Sequence, residues 1–159
     1  MARTRKRLKI EDAKLLERGV AERTVRTEYL GVPSQIRMDW FVGNVAGVPA
    51  ICDLKTCDTL DWFETDARKF GYPEQLAFYR EVFRIAAHEA DPGKNPPKPD
   101  CYLIAVEKRE PYRVAVYKLS DELLDAAQAT NERAIEELKR CHASGEYPTR
   151  TEELRFLDL

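Results

Sequence analysis

The order of the hydrophobic patterns along the chain is the feature that most restricts its fold. Three segments rich in β-branched and aromatic residues precede the longest helical pattern, and two more follow it. The predicted order is helix 10–20, strands 22–30, 35–43 and 48–56, helices 58–70 and 72–90, strands 101–108 and 112–119, and a last helix between Ser120 and Gly145. This order predicts a single α/β domain with a central mixed β-sheet flanked by helices.

The charge is unevenly distributed along the 159 residues. The formal net charge is −2, but five of the first nine residues are basic. We therefore divide the chain into a basic N-terminal arm (1–9), a folded domain (10–148) and a C-terminal tail (149–159). A basic arm can bind phosphates, and the alternative is a solvated terminus without a role.

The cysteines and the hydropathy exclude several classes of protein. The four cysteines form no CxxC pair, which argues against a zinc finger or an iron–sulfur cluster. No apolar run approaches the roughly 18 residues that a membrane span needs, and the basic start has no apolar segment typical of a secretory signal. We expect a cytoplasmic protein that does not bind membranes.

Two aspartates are predicted to face each other on neighbouring strands. The segment 35–43 alternates, which places Ile36, Met38, Trp40 and Val42 on one face. Pairing of 35–43 with 48–56 about the turn near 44–47 makes the two strands neighbours. Asp39 and Asp53 lie equally far from that turn, so their Cβ atoms should be roughly 5 Å apart.

The paired aspartates and a nearby lysine favour a metal site. Two carboxylates at so short a distance repel each other unless a cation lies between them. Mg²⁺ prefers one or two carboxylates together with waters and phosphate oxygens. Lys55 is two residues from Asp53, so both project from one face of the strand. The set predicts metal-dependent phosphoryl transfer, in which Lys55 orients or deprotonates water or stabilises phosphate charge. The alternative is an ordinary salt bridge at a strand end.

Gln75 and Tyr79 lie on one face of the long helix, because they are four residues apart. Tyr79 also belongs to the apolar stripe that contains Tyr72 and Leu76, so it has a plain core role as its alternative. Gln75 flanks the stripe and can reach toward a polar centre.

Together these motifs resemble the PD-(D/E)XK nuclease superfamily in its branch with a QxxxY motif. The segments that carry the resemblance are RMDW (37–40), ICDLKT (51–56), FxxxxxxFGYPEQLAFY (63–79) and IAVEKREPYRVAVYKL (104–119). They look like the phage-type exonucleases akin to exodeoxyribonuclease VIII. The similarity runs from about Ala13 to Pro148 and makes 10–148 a nuclease-like domain.

The resemblance implies a fold similar to restriction endonucleases and a specific role for each site residue. Asp39 and Asp53 would bind Mg²⁺, for which Mn²⁺ can substitute, and the Leu54 backbone carbonyl would add a third ligand. Lys55 would be the catalytic lysine. Gln75 and Tyr79 would position the lysine, the metal site or the scissile strand.

The resemblance also implies a function and partners. Its members digest linear double-stranded DNA from an end in phage recombination, form ring-shaped homo-oligomers and work with a single-strand annealing protein in a bacterial host. The family usually has a proline where this chain has Met38, and it carries a longer N-terminal region that supplies a further acid. Glu17 on the predicted first helix, or Glu22 or Glu28 on the first strand, can take its place, and we expect Glu22 to supply that acid. The alternative is a catalytically weak or inactive remnant of the fold that binds DNA or a partner, and a third is a bland α/β interaction domain.

Overall fold

The computed structural model describes residues 15–45 and 47–149, together with Leu154 and Phe156. The basic arm lies outside the described residues, as do residues 10–14 of the predicted first helix. Among the described residues the strands are β1 Val20–Tyr29, β2 Val32–Val45, β3 Val48–Cys57, β4 Asp100–Glu107 and β5 Val114–Lys118. The helices are α1 Phe63–Lys69, α2 Tyr72–Ala90 and α3 Asp121–Ser144, and a short 3-10 helix, Leu60–Trp62, precedes α1.

The five strands form one mixed sheet in the order β1-β2-β3-β4-β5. The pairs β1–β2, β2–β3 and β4–β5 are antiparallel, whereas β3 and β4 are parallel. A parallel pair needs a long crossover, and here α1 and α2 supply it. The predicted single α/β domain with a mixed sheet flanked by helices is confirmed.

The two faces of the sheet bury different cores. The larger core joins the sheet to the three helices through residues such as Ile51, Phe63 and Leu76. The smaller core covers the opposite face and includes Leu15, Leu16 and Ile104. Side chains alternate along β3, so Asp53 and Lys55 project with Ile51 toward the helices.

Two predictions about local structure are wrong. Residues 15–17 are helical, but β1 already begins at Val20, which was assigned to the first helix. The uniform alternation of 35–43 also fails: Ile36 and Met38 pack in the larger core, whereas Trp40 and Val42 pack in the smaller one. The strand therefore changes the face it presents at Asp39.

None of the helices among the described residues combines the length and the apolar character that crossing a bilayer requires.

Candidate active site

Asp39 and Asp53 lie where β2 and β3 separate. The β2–β3 ladder runs from Val45–Val48 to Trp40–Cys52, so the next position opposes Asp39 to Asp53. Beyond this point, which we call the strand fork, the two strands no longer pair with each other. The part of β2 that precedes Asp39 pairs with β1, and the part of β3 that follows Asp53 pairs with β4. The predicted register about the turn is confirmed.

The fork fixes the orientation of Asp39. The backbone N–H of Leu54 faces the gap left by the departing strand and donates instead to Asp39 Oδ2 at 2.9 Å. The bond gives a partner to a backbone donor that β2 no longer pairs at this position. One carboxylate oxygen of Asp39 is thus engaged by the backbone of β3.

Asp53 is a buried carboxylate whose charge is balanced by Lys55. The residue is 3% exposed, and burial raises the pKa of its carboxyl. Lys55 opposes that shift, and the neighbouring Asp39 adds to it. Asp53 Oδ2 lies 2.6 Å from Lys55 Nζ as an ion pair, although no donor among the described residues meets this oxygen with hydrogen-bond geometry.

Gln75 on α2 connects the lysine, the aspartate and the tyrosine. Its Oε1 accepts a hydrogen bond from Lys55 Nζ at 2.8 Å. Its Nε2 donates to Asp53 Oδ1 at 3.4 Å and to the Tyr79 hydroxyl at 3.2 Å. The amide can make all three contacts in only one orientation, so it fixes the positions of both charged groups.

Tyr72, which the sequence predicts only as a core residue, adjoins the candidate site. Lys55 Nζ lies 4.5 Å from the centroid of its ring, within the range of a cation–π interaction. Tyr72 precedes Gln75 by three residues on α2, so the two share a face. That spacing is the signal that could have identified it.

Glu22 lies on β1, at the position opposite Asp39 of β2 and on the side of β2 that faces away from β3. Ala21 pairs with Trp40 and Arg23 with Met38, and Glu22 lies between these pairs with φ of 55°. Its side chain turns to Arg37, with 2.9 Å between Oε2 and Nε, and both side chains are exposed. The structure thus places Glu22 beside Asp39 in the sheet but pairs its carboxylate elsewhere.

The chain that leaves β3 is anchored at the end of β4. Glu107 accepts from the Leu60 backbone N–H at 2.9 Å and from Arg113 through both carboxylate oxygens. These bonds lower the pKa of Glu107 to about 2. Arg113 also reaches Asp61 at 3.2 Å, so the segment between the site and α1 is held in place.

The donor set fits a divalent cation bound by few protein ligands. Among the described residues no three His, Cys, Asp or Glu side chains group closely enough to hold a metal. The fork instead offers two carboxylates, and the buried one, Asp53, contacts the Lys55 ammonium and the Gln75 amide, which leaves acceptor sites on its two oxygens for a cation. Two carboxylates plus waters and phosphate oxygens are the set that Mg²⁺ accepts.

A mixed sheet with an aspartate and a lysine at the end of a buried strand, opposed by a second aspartate, defines the PD-(D/E)XK class of fold. The chain belongs to the family described as the PDDEXK-like domain of unknown function (DUF3799), whose model matches residues 2–159. Among curated proteins, none matches the sequence. Membership of the narrower exodeoxyribonuclease VIII branch stays a prediction.

A solved structure shares the fold of this chain. A crystal structure from Eubacterium rectale, described as "Putative exonuclease", superposes with a TM-score of 0.69 at 19% identity, covering 99% of this chain and 60% of that one. The chain therefore spans about 60% of the length of that protein. The structure of SSO0001 has a TM-score of 0.42 at 16% identity, covering 69% of this chain and 47% of that one, and no argument rests on it.

Proposed function

We propose that this protein is a Mg²⁺-dependent deoxyribonuclease that hydrolyses phosphodiester bonds of linear double-stranded DNA from an end. The observation that carries the proposal is the Lys55 ammonium, held between the Asp53 carboxylate at 2.6 Å and the Gln75 amide at 2.8 Å, beside the strand fork. Membership of the PDDEXK-like family and the fold shared with the Eubacterium rectale protein support it.

Asp39, Asp53 and the Leu54 carbonyl would hold the cation at the fork, with Glu22 as a further acid. When bound, Mg²⁺ or Mn²⁺ supplies Lewis-acid activation of water and neutralises phosphate charge. To take part, Glu22 must release Arg37, and that surface ion pair costs little to break because both side chains are exposed. Asp39 can contribute the oxygen that Leu54 does not occupy.

The protein side chains act on the phosphate and on one another. The Lys55 ammonium faces the place where negative charge grows as the phosphate is attacked, and a fixed cation stabilises that charge without reorganisation. Gln75 holds the ammonium through its Oε1 and keeps Asp53 in place through its Nε2. Tyr79 fixes the amide orientation by accepting from the same Nε2. Gln75 and Tyr79 are thus positioning residues.

A second candidate function is a catalytically weak module of the same fold that binds DNA or a partner. It is favoured by one observation: the described part of the chain places two acidic side chains at the fork, and its third acid is paired with Arg37. Cleavage in the presence of Mg²⁺ separates the two functions.

The test is digestion of end-labelled linear duplex DNA, with a covalently closed circle of the same sequence in parallel. We expect the wild-type protein to degrade the linear form with Mg²⁺ and to leave the circle intact. Lys55→Ala should lower the rate by at least about 100-fold, the effect of removing one stabilising group from a transition state. Lys108→Ala is the matched control, because Lys108 is an exposed lysine paired with Asp58 outside the fork.

Each outcome has a distinct meaning. Unchanged turnover in Lys55→Ala would contradict the assignment of the site. DNA binding without cleavage would favour the second candidate, and cleavage of the circle would make the protein an endonuclease. The recombination role extends the proposal to a ring-shaped homo-oligomer and an annealing-protein partner, which light scattering and co-purification of the two purified proteins would test.

A further inference from the structure

An exposed aromatic ring lies next to the candidate catalytic lysine. Phe70 follows α1 and is 59% exposed. Its ring stacks with that of Tyr72, with 6.0 Å between centroids and 29° between planes. The Tyr72 ring in turn contacts Lys55 Nζ at 4.5 Å. The rings of Phe70 and Tyr72, which we call the aromatic step, therefore lead from solvent to the active-site lysine.

The aromatic step carries positive charge beside it. Lys69 Nζ lies 5.5 Å from the centroid of the Phe70 ring. Arg68 and Lys69 occupy the last turn of α1, whereas its acids, Glu64 and Asp66, lie in the first turn. An exposed ring with a cation beside it suits a ligand that has both a flat apolar face and a phosphate.

The backbone holds the aromatic step in place. The Phe70 N–H donates to the Asp66 carbonyl at 2.9 Å. Gly71 adopts φ of 68° and turns the chain directly from α1 into α2. The Gly71 carbonyl accepts from the Gln75 N–H at 3.0 Å. Because the ring is positioned before any ligand arrives, stacking on it costs little ordering entropy.

We infer that Phe70 stacks on the base of an unpaired nucleotide adjacent to the scissile phosphate. The inference deepens the proposed function and rests on it. Both faces of a base inside a duplex are covered by its neighbours, and a blunt terminal pair exposes only its outward face, so a frayed, overhanging or single-stranded nucleotide offers Phe70 the most accessible face. The substrate class is therefore DNA with an unpaired end, and Lys69 faces its backbone.

The test is binding of DNA that carries 2-aminopurine at an unpaired terminal position, with Ca²⁺ in place of Mg²⁺ so that the DNA stays intact. Wild-type protein should quench the fluorescence, because stacking quenches this base. Phe70→Ala should abolish the quenching and weaken affinity by about 5-fold to about 150-fold, the range for one base–aromatic stack. Phe70→Trp should retain both.

Tyr147→Ala is the matched control, because Tyr147 follows α3 and is 60% exposed. Its ring packs with that of His142 in the last turn of α3. Equal quenching by Phe70→Ala and wild type would overturn the inference while leaving cleavage, and so the proposed function, intact. An equal loss of affinity for the covalently closed circle, which has no ends, would overturn the assignment to unpaired ends. Failure of the wild-type protein to bind any of these DNAs would overturn both proposals, and the melting temperature of each variant shows whether it is folded.

Discussion

Replacing Glu22 by glycine should leave the protein more stable than replacing it by alanine, the reverse of what is expected at an ordinary strand position. Glu22 lies within β1 but has φ of 55°, in the left-handed region. At an ordinary strand position glycine is less stable than alanine by roughly 0.5–1 kcal/mol, since the unfolded chain gains freedom. A side chain in the left-handed region costs roughly 1–2 kcal/mol, and glycine removes that cost.

The two effects have opposite signs, so the expected difference can be worked out. Comparing Glu22→Gly with Glu22→Ala cancels the loss of the Arg37 ion pair, because both variants lack the carboxylate. At the midpoints of these ranges, strain relief of roughly 1.5 kcal/mol minus a glycine penalty of roughly 0.75 kcal/mol leaves Glu22→Gly more stable by about 0.75 kcal/mol. For a protein of this size that corresponds to about 1.5–3 °C in melting temperature.

Thermal unfolding of both variants measures the difference, and Glu28 provides the control. Glu28 is exposed in the same strand and does not have a positive φ, so Glu28→Ala should be more stable than Glu28→Gly. A Glu22→Gly variant that melts below Glu22→Ala would show that the backbone at Glu22 is not strained. If Glu22 also binds the cation, Mg²⁺ should raise the melting temperature of Glu22→Gly by less than it raises that of the wild type. Backbone strain at Glu22 would then be retained because the residue binds the cation.

Two further predictions concern the supports of the site. A Cβ at Gly19 would lie 2.7 Å from the Phe41 carbonyl and overlap the Trp40 ring, whose Nε1 donates to the Leu15 carbonyl, so Gly19→Ala should destabilise the protein by about 1–3 kcal/mol in urea unfolding. The pKa of Glu107 falls from 4.5 to about 2 on folding, so its contribution to stability is present above pH 4.5 and is lost as the pH falls toward 2. The melting temperatures of wild type and Glu107→Gln should therefore converge over that range, and a constant gap would contradict the ionised Glu107–Arg113 pair.

The juxtaposition of Asp39 and Asp53 could be predicted because it depends on local geometry. A short turn between two strands fixes their register, and the pairing of Trp40 with Cys52 confirms it. The relation of Gln75 to Tyr79 is equally local, since helical spacing alone puts both on one face.

The features that were missed depend on contacts between distant segments. Trp40 lies on the opposite face from Met38 because the in-and-out alternation of side chains along β2 is interrupted where Glu22 opposes Asp39. The sequence of β2 alone does not encode that interruption. Tyr72 was assigned to the core because it lies in the apolar stripe, although its ring faces Lys55. The exposure of Phe70 follows from the turn at Gly71. Hydropathy alone does not distinguish an aromatic side chain that packs in the core from one that stays exposed to solvent.

The carboxylates at the strand fork are proposed to bind a divalent cation, and calorimetric titration with Mg²⁺ and Mn²⁺ measures that binding. The wild-type protein should bind the cation, whereas Asp53→Asn, which keeps the shape of the side chain but removes its charge, should show no measurable binding. Asp39→Asn should weaken binding while still accepting from the Leu54 N–H. Equal affinity in the wild type and in Asp53→Asn, with both proteins folded, would contradict the proposal.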